Sequence, residues 1–283
     1  MYRIGILGTE NSHAEAFTKI FNQTQDYPDI QVVAVGGHVA EASQKLVNDF
    51  GVIREDCPEK MLDMVDAVMV TARDGKYHSE MATPFIKAGK PAFIDKPFTT
   101  DRRGAQALIA LAQEKKVPLV GGSSLKYCAD TLALKEAFLA MGEVHGGTVT
   151  APLNMVNEYG GFFFYSSHLA EICLTIFGYD PLAVSAFEKK GNVTAVVHYN
   201  DFDVACHYTD GCYQYFGAVY GKDRLVSRDI DMSDCYRLEC DAFAKMLRTG
   251  EMPHSYEHLA KPVDLLIATK EAYETGKTVV LPQ

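Results

Sequence analysis

Unbroken apolar runs alternate with helical patterns along the first part of the chain. The runs cover residues 3–8, 30–35, 67–71, 91–94 and 117–120, and they do not alternate with polar residues. Such runs are typical of parallel strands that are buried on both faces. Apolar residues recur with helical spacing between them, as in residues 40–50 and 77–88. This order of elements predicts a doubly wound, parallel α/β domain over residues 1–122.

The first strand ends at a turn that is suited to a phosphate group. Gly8 is followed by Thr9, Glu10, Asn11 and Ser12, and then by a helical pattern. Ser12 is a suitable N-cap residue, and the free N–H groups at the start of a helix bind anions. We therefore expect a pyrophosphate at the turn from Gly8 to Ser12.

The pattern changes after the polar turn at residues 121–124. A predicted helix, residues 129–141, precedes strands at 143–152, 183–189, 193–199, 203–208 and 212–220, which are joined by Gly, Asn or Asp. Closely spaced strands with tight turns indicate a mostly antiparallel sheet in a second α/β domain, residues 123–283. Both faces of this sheet carry apolar or aromatic groups, among them Val196, Val204 and Tyr215. An open face of this kind predicts a second subunit, in a homodimer or homotetramer.

Composition narrows the range of functions. The chain has 283 residues, is 47% hydrophobic and carries a net charge of −10, which argues against nucleic acid or an anionic membrane as a partner. We see no signal-peptide pattern before the first strand and no apolar run near the roughly 20 residues that span a bilayer. Seven cysteines without a CxxC motif fit reduced thiols in the cytoplasm. His254 and His258 have the spacing of zinc ligands but lack a third ligand, so we expect no metal.

The segment Ala92-Phe-Ile-Asp-Lys-Pro-Phe98 carries the strongest chemical signal. A strand that ends in Asp95, Lys96 and Pro97 brings an ammonium group to the carboxyl edge of the sheet, where ligands bind in open α/β folds. A solvated lysine before a turn proline is the simpler alternative.

Several spaced motifs resemble the glucose-fructose oxidoreductase and inositol dehydrogenase family, also called Gfo/Idh/MocA. Asp66-Ala-Val-Met-Val-Thr-Ala-Arg-Asp-Gly-Lys-Tyr-His78 is similar to its histidine-bearing loop. Ala88-Gly-Lys-Pro-Ala-Phe-Ile-Asp-Lys-Pro97 resembles its Ala-Gly-Lys and Glu-Lys-Pro motifs, with Asp95 in place of Glu. Three later segments extend the likeness over nearly the whole chain. They are Gly142-Glu-Val144, Gly160-Gly161 leading to His168, and Gly276-Lys-Thr-Val-Val-Leu-Pro282.

The resemblance implies a dehydrogenase with a Rossmann domain, NAD or NADP as cofactor, and a second domain for substrate binding and subunit pairing. It implies that Lys96 and His168 share the proton transfer. The aspartate that the family has four residues before the histidine is Phe164 here, and Tyr165 is a candidate replacement. Lys126 matches an arginine that faces the substrate, so Lys126, Phe164, Tyr165 and His168 are the candidate substrate-binding residues.

The cofactor motif departs from the family pattern. Glu10 and His13 replace the second and third glycines of Gly-x-Gly-x-x-Gly, and Val35-Gly-Gly-His38 has no acid for the ribose. A carboxylate at the second position repels a pyrophosphate, and neither NAD nor NADP is favoured. By resemblance, five residues line the nicotinamide half: Thr71, Arg73, His78, Asp95 and Lys96. Arg73 and Lys126 are equally well interpreted as solvated cations.

The sequence as a whole predicts an NAD(P)-dependent oxidoreductase that acts on a secondary alcohol of a sugar, polyol or related small molecule. Two alternatives remain open because of Phe164 and Glu10. One is an enzyme that uses transient oxidation for elimination or glycoside cleavage. The other is a dinucleotide-binding or regulatory protein that has lost turnover.

Overall fold

The computed structural model describes residues 1–282, which form two compact units. The first contains Met1–Gly122 and Tyr236–Leu259, and the second contains Ser123–Cys235 and the residues from Ala260 onward. The sequence-based boundaries placed all residues after 122 in the second domain. The structure assigns residues 236–259 to the first unit, because Phe243 and Met246 are fully buried in its apolar core.

A six-stranded parallel sheet forms the centre of the first unit. Its strands are β1 Tyr2–Leu7, β2 Ile30–Gly36, β3 Ile53–Arg54, β4 Ala67–Val70, β5 Ala92–Asp95 and β6 Leu119–Gly122, in the order β3-β2-β1-β4-β5-β6. Every residue of β4, β5 and β6 is buried, as their continuous apolar sequences predict. The predicted doubly wound parallel sheet is confirmed.

The helices of this region connect successive parallel strands. They are α1 Ser12–Gln23, α2 Ala40–Phe50, α3 Pro58–Met61, α4 His78–Lys87 and α5 Arg102–Lys115. The carboxyl ends of β1, β4 and β5 therefore lie at the same edge of the sheet. Ligands bind at this edge in open α/β sheets.

The second unit contains a seven-stranded mixed sheet. Its helices are α6 Ala129–Leu139 and α7 Phe163–Phe177, and its strands are β7 Val144–Leu153, β8 Ala183–Lys189, β9 Asn192–His198, β10 Asp203–Asp210, β11 Phe216–Gly221, β12 Leu225–Asp229 and β13 Val279–Val280. The order is β12-β11-β7-β10-β9-β8-β13, and only β7 and β10 are parallel neighbours. The prediction of a mostly antiparallel sheet is therefore confirmed.

The two faces of this second sheet differ. Helices α6 and α7 pack on one face, where a Cβ added to Gly147 would lie 2.2 Å from the Phe177 ring. On the other face, a row of paired residues from neighbouring strands remains partly exposed. The row contains Ser185, Val196, Ala205 and Thr148. We refer to this side as the outer sheet face.

Two further helices complete the chain. They are α8 Cys235–Thr249 and α9 Tyr256–Thr275. In α8, the Phe243 ring packs edge-on at 6.3 Å from Phe93 of β5, so this helix covers the β5 side of the first sheet. Among residues 1–282, no helix has both the length and the apolar character that crossing a bilayer requires.

Candidate functional site

The turn after β1 needs a glycine at its first position. Gly8 has φ of +91°, and an added Cβ would lie 2.1 Å from the backbone nitrogen of Ala72. The buried Thr71 hydroxyl donates a hydrogen bond to the Gly8 carbonyl at 2.9 Å. The ends of β1 and β4 are therefore held in close backbone contact, as a turn that admits a dinucleotide requires.

Helix α1 begins one residue earlier than its predicted cap implies. The prediction of Ser12 as the N-cap is wrong, because Ser12 is already helical and Asn11 is the cap. The Asn11 side-chain oxygen accepts the His13 N–H at 3.4 Å. Asparagine is as good an N-cap as serine, so the sequence pattern alone did not distinguish the two positions.

Glu10 occupies the position of the second glycine of the dinucleotide motif. One of its carboxylate oxygens accepts the backbone N–H of Arg73, in the segment after β4, at 2.9 Å. The other oxygen is buried and makes no hydrogen bond within residues 1–282. The preceding Thr9 hydroxyl lies 2.8 Å from that of Ser43 in α2. This turn thus has a carboxylate where the family pattern has only backbone.

Asp95 is the centre of a buried polar cluster at the end of β5. Its carboxylate accepts the Lys96 N–H at 2.6 Å and the Asn11 side-chain amide at 3.1 Å, and it lies 2.6 Å from Nδ1 of His13. Burial raises the pKa of Asp95, but His13, Lys96 and His78 outweigh this effect and hold it below its ordinary value. Asp95 is therefore an anion that joins the start of α1 to the backbone of Lys96.

His13, at the position of the third glycine, makes contacts that a glycine lacks. Its ring is buried between Asp95 and the Tyr236 ring, whose centroid lies 4.8 Å away. In the sequence, His13 stands out only because it replaces a glycine of the dinucleotide motif. The pairing with Asp95 was not visible, because the two residues are 82 positions apart in the sequence.

Lys96 is almost fully buried, with 5% of its surface exposed. Burial lowers the pKa of its ammonium group, the Asp95 and Glu239 carboxylates act in the opposite direction, and Arg73 lowers it further. The net shift is downward, so the neutral amine forms at a lower pH than in an ordinary lysine. A neutral amine is able to accept a proton.

Glu239 of α8 belongs to the same charged cluster. It is fully buried and precedes Phe243 by four residues, so both lie on one face of α8. Phe243 packs against Phe93, and Asp95 follows Phe93 by two residues on the same face of β5. Glu239 therefore lies near the carboxyl end of β5, where its charge acts on Lys96.

His78 links the segments that follow β4 and β5. Its two ring nitrogens each lie 2.8 Å from a carbonyl oxygen, that of Pro97 and that of Ala72. The ring is fully buried. The structure thus brings Thr71, His78, Asp95 and Lys96 to the adjoining ends of β4 and β5, and Arg73 is tied to Glu10 through its backbone.

A second polar cluster lies in the second unit, around His168 of α7. Nδ1 of His168 lies 2.7 Å from the Ser123 hydroxyl oxygen, which also accepts the Leu125 N–H at 3.2 Å. His168 is 8% exposed and Ser123 is fully buried. Ser123 immediately follows β6, just as Lys96 immediately follows β5.

Lys126 and Glu171 form a buried ion pair beside Ser123. Their charged atoms are 3.2 Å apart, and their side chains are 1% and 3% exposed. The other Glu171 oxygen accepts the Ser123 N–H at 3.2 Å. Burial raises the pKa of Glu171 above its ordinary value, although Lys126 and the Ser123 N–H act to lower it. Of the two interpretations of Lys126, the solvated surface cation is wrong.

Aromatic rings surround His168. The Tyr165 and Tyr215 rings lie 6.0 and 5.9 Å from it, and Phe164 packs against Tyr165 at 4.8 Å. Phe164 is 6% exposed and Tyr215 is 7% exposed. Tyr215, named above among the residues of the predicted sheet, does not belong to a strand. This residue precedes β11, and its ring packs on His168.

Sequence reasoning therefore missed three residues of these clusters: His13, Ser123 and Glu239. The position of Ser123 directly after a buried strand was an available signal. No local pattern identifies Glu239, because its proximity to Lys96 depends on how α8 packs.

Solved structures of several dehydrogenases share this fold. The WlbA dehydrogenase from Bordetella pertussis, in complex with NADH and UDP-GlcNAcA, aligns with a TM-score of 0.87 and 16% identity over 100% of this chain and 98% of that one. The scyllo-inositol dehydrogenase from Lactobacillus casei, with NAD(H) and scyllo-inositol, aligns with a TM-score of 0.86 and 13% identity over 99% of both chains. These likenesses establish the fold.

Sequence comparison gives two further matches. Inositol 2-dehydrogenase of Azotobacter vinelandii is 36% identical over 83 residues, which span 28% of this chain and 24% of that protein. Residues 2–122 match the family model described as oxidoreductase family, NAD-binding Rossmann fold. Together with the geometry at the ends of β1, β4 and β5, this match confirms the resemblance seen in the sequence. Residues 2–122 are thus similar to the NAD-binding Rossmann domain of the Gfo/Idh/MocA oxidoreductase family.

Proposed function

We propose that this protein is an NAD(P)-dependent oxidoreductase that transfers a hydride to or from a secondary alcohol of a sugar, polyol or related small molecule. The single observation that carries the proposal is the environment of Lys96. It is a buried lysine with a lowered pKa, and it lies at the carboxyl edge of a Rossmann sheet beside an ionised Asp95. A solvated surface lysine would have neither property.

Proton transfer is the task of Lys96 in this scheme. When hydride leaves the carbon of a secondary alcohol, the hydroxyl proton must pass to a nearby base. The neutral amine accepts it, and the ammonium returns it in the reverse reaction. Asp95 holds the Lys96 backbone through its hydrogen bond to the Lys96 N–H. Asp95 in turn is held by Asn11 and His13.

The first unit binds the dinucleotide. Gly8 allows close backbone approach, and the positive dipole end at the start of α1 would attract the pyrophosphate. The bound cofactor supplies the hydride acceptor or donor. The turn from Gly8 to Ser12 would hold the pyrophosphate, and the cluster of Thr71, Arg73, His78, Asp95 and Lys96 would hold the nicotinamide half. Gly37 and His38, which follow β2, present neither a carboxylate nor a guanidinium to the ribose, so this segment favours neither NAD nor NADP.

The second unit binds the substrate and forms the subunit interface. Tyr165, His168 and Phe164 lie at the start of α7, and the Lys126–Glu171 pair supports this region from within. Phe164 leaves the substrate side without the carboxylate of the family. Hence His168 and Tyr165 carry the remaining polar contacts.

The outer sheet face pairs with a second copy of the chain, which gives a homodimer or homotetramer. Val196 and Ala205 are partly exposed on this face, which carries both apolar and hydroxyl side chains. The net charge of −10 disfavours nucleic acid or an anionic membrane as a partner. All seven cysteines are free thiols, which supports a cytoplasmic location for the protein.

Calorimetry with NAD, NADH, NADP and NADPH tests the cofactor assignment. We expect a one-to-one binding heat with at least one of the four. Absence of heat with all four would remove the basis of the proposal. Where binding is found, oxidation of a panel of polyols and sugars is followed by the absorbance of reduced nicotinamide. Binding without turnover on the panel would favour the regulatory alternative.

A further inference from the structure

We infer that Ser123 fixes the neutral His168 ring in the form that carries its proton on Nε2, so that His168 donates a hydrogen bond to a substrate oxygen and does not accept a proton. The substrate part of this statement rests on the proposed function. The ring form itself follows from the hydrogen bonds around Ser123. Ser123 is thus a positioning residue that acts through His168.

Ser123 has one hydroxyl proton and needs one acceptor for it. Its oxygen already accepts the Leu125 N–H at 3.2 Å. Within residues 1–282, the hydroxyl has one other hydrogen-bonding partner, Nδ1 of His168 at 2.7 Å. Nδ1 is therefore the only partner that is able to accept a hydrogen bond from the hydroxyl. A buried hydroxyl that donates to nothing is disfavoured, so the Ser123 proton lies on the line to Nδ1.

The consequence for the imidazole is direct. A neutral histidine carries one ring proton, and a nitrogen that accepts a hydrogen bond cannot carry it. Since Nδ1 accepts from Ser123, the proton is on Nε2, and Nε2 acts as a donor. The same partner contact that sets the ring form also sets the orientation of the ring.

Ser123 is itself fixed by the buried ion pair. Its backbone N–H donates to one Glu171 oxygen at 3.2 Å, and the other Glu171 oxygen accepts from Lys126 at 3.2 Å. Glu171 follows His168 by three residues on α7, so one helical face presents both the ring and the group that anchors its partner. The hydroxyl therefore has little freedom to turn away from His168.

The Ser123 hydroxyl takes over the orienting role of the aspartate that the family pattern has and this chain lacks. With Phe164 at that position, no carboxylate four residues before His168 is available to orient the ring. A serine hydroxyl orients it instead, and unlike a carboxylate it donates a hydrogen bond to Nδ1. The expected sharing of proton acceptance between His168 and Lys96 is thereby refined: His168 polarises or holds the substrate oxygen, and the lysine accepts the proton.

Nitrogen NMR of the unliganded protein tests the inference without cofactor or substrate. Histidine ring nitrogens give distinct ¹⁵N shifts when protonated and when unprotonated, and the His168 signals are identified by their loss in His168→Gln. In the unmodified chain we expect the Nε2-protonated form to exceed the other neutral form by roughly tenfold or more, given the cost of an unmatched buried donor. A dominant Nδ1-protonated form would overturn the inference, as would an imidazolium ring at mildly alkaline pH.

Variants separate positioning from mere packing. Ser123→Ala should reduce this tautomer preference by roughly tenfold, and Ser123→Thr, which keeps the hydroxyl, should restore it. Ser124→Ala is the matched control, because it removes a neighbouring buried hydroxyl and should leave the His168 signals unchanged. An unchanged tautomer ratio in Ser123→Ala would contradict the role of Ser123. If Ser123→Ala does not fold, the spectrum of the unmodified chain still decides. Since no dinucleotide is present, these results are independent of the cofactor assignment.

Discussion

Breaking the buried Lys126–Glu171 pair should cost the protein several kcal/mol of stability. The charged atoms are 3.2 Å apart, and the two side chains are 1% and 3% exposed. At an effective dielectric constant of about 20, two unit charges at this separation attract by about 5 kcal/mol. Removing one partner from such a pair typically costs about 3–5 kcal/mol, because a charge is left buried without compensation. Lys126→Met should therefore lower the free energy of unfolding by about 3–5 kcal/mol.

The size of this loss should depend on pH through Glu171. Its pKa is already raised by burial, and removal of Lys126 raises it further. An acid whose pKa is higher in the folded state binds more protons there than in the unfolded state, so stability falls as pH rises between the two pKa values. The penalty of Lys126→Met should thus be larger at about pH 8 than at about pH 5, where the carboxyl takes up a proton.

Urea unfolding followed by circular dichroism measures these changes. Lys135→Met, on the exposed side of α6, is the matched control and should change stability by no more than about 0.5 kcal/mol. Lys126→Met combined with Glu171→Met should recover most of the loss, because no unpaired charge remains. If Lys126→Met were no more destabilising than Lys135→Met, the pair would not be buried as described.

Two further predictions concern the charged cluster and the assembly. Glu239→Gln should shift the acid side of the pH–rate profile to lower pH, because loss of a nearby carboxylate lowers the pKa of Lys96. An unchanged profile would show that the charge of Glu239 does not act on Lys96. Val196→Asp should dissociate the oligomer in sedimentation measurements, whereas Leu139→Asp, on the exposed side of α6, should not. A monomer in the unmodified chain would contradict the predicted interface.

The fold was predictable because its signals are local. Unbroken apolar runs identified β1, β2, β4, β5 and β6, and tight polar turns identified the strands of the second sheet. The short strand β12 was missed, since its sequence from Leu225 to Asp229 has little apolar content. The placement of α8 in the first unit was not predicted either. That placement depends on contacts between residues far apart in the sequence, such as Phe93 and Phe243.

The candidate site was predictable where a single sequence motif names its residues. Asp95 and Lys96 were identified because they end a buried strand, and His168 because it matches a spaced family motif. The environment of these residues was not predictable. His13 reaches Asp95, Glu239 acts on Lys96, and Ser123 bonds His168 only because separate elements pack together. Whether a lysine is buried in an ion pair, as Lys126 is with Glu171, likewise depends on how these elements pack.

The central claim is that Lys96 carries the proton in a hydride transfer, and Lys96→Ala tests it most directly. With a substrate that the unmodified protein oxidises, turnover should fall by about 10²–10⁴-fold while the dinucleotide affinity stays within a few-fold of normal. Lys96→Arg should not restore turnover, because a guanidinium remains protonated. Lys90→Ala, at the loop before β5, is the control for loss of a cation. Turnover in Lys96→Ala equal to that of the unmodified protein would contradict the account.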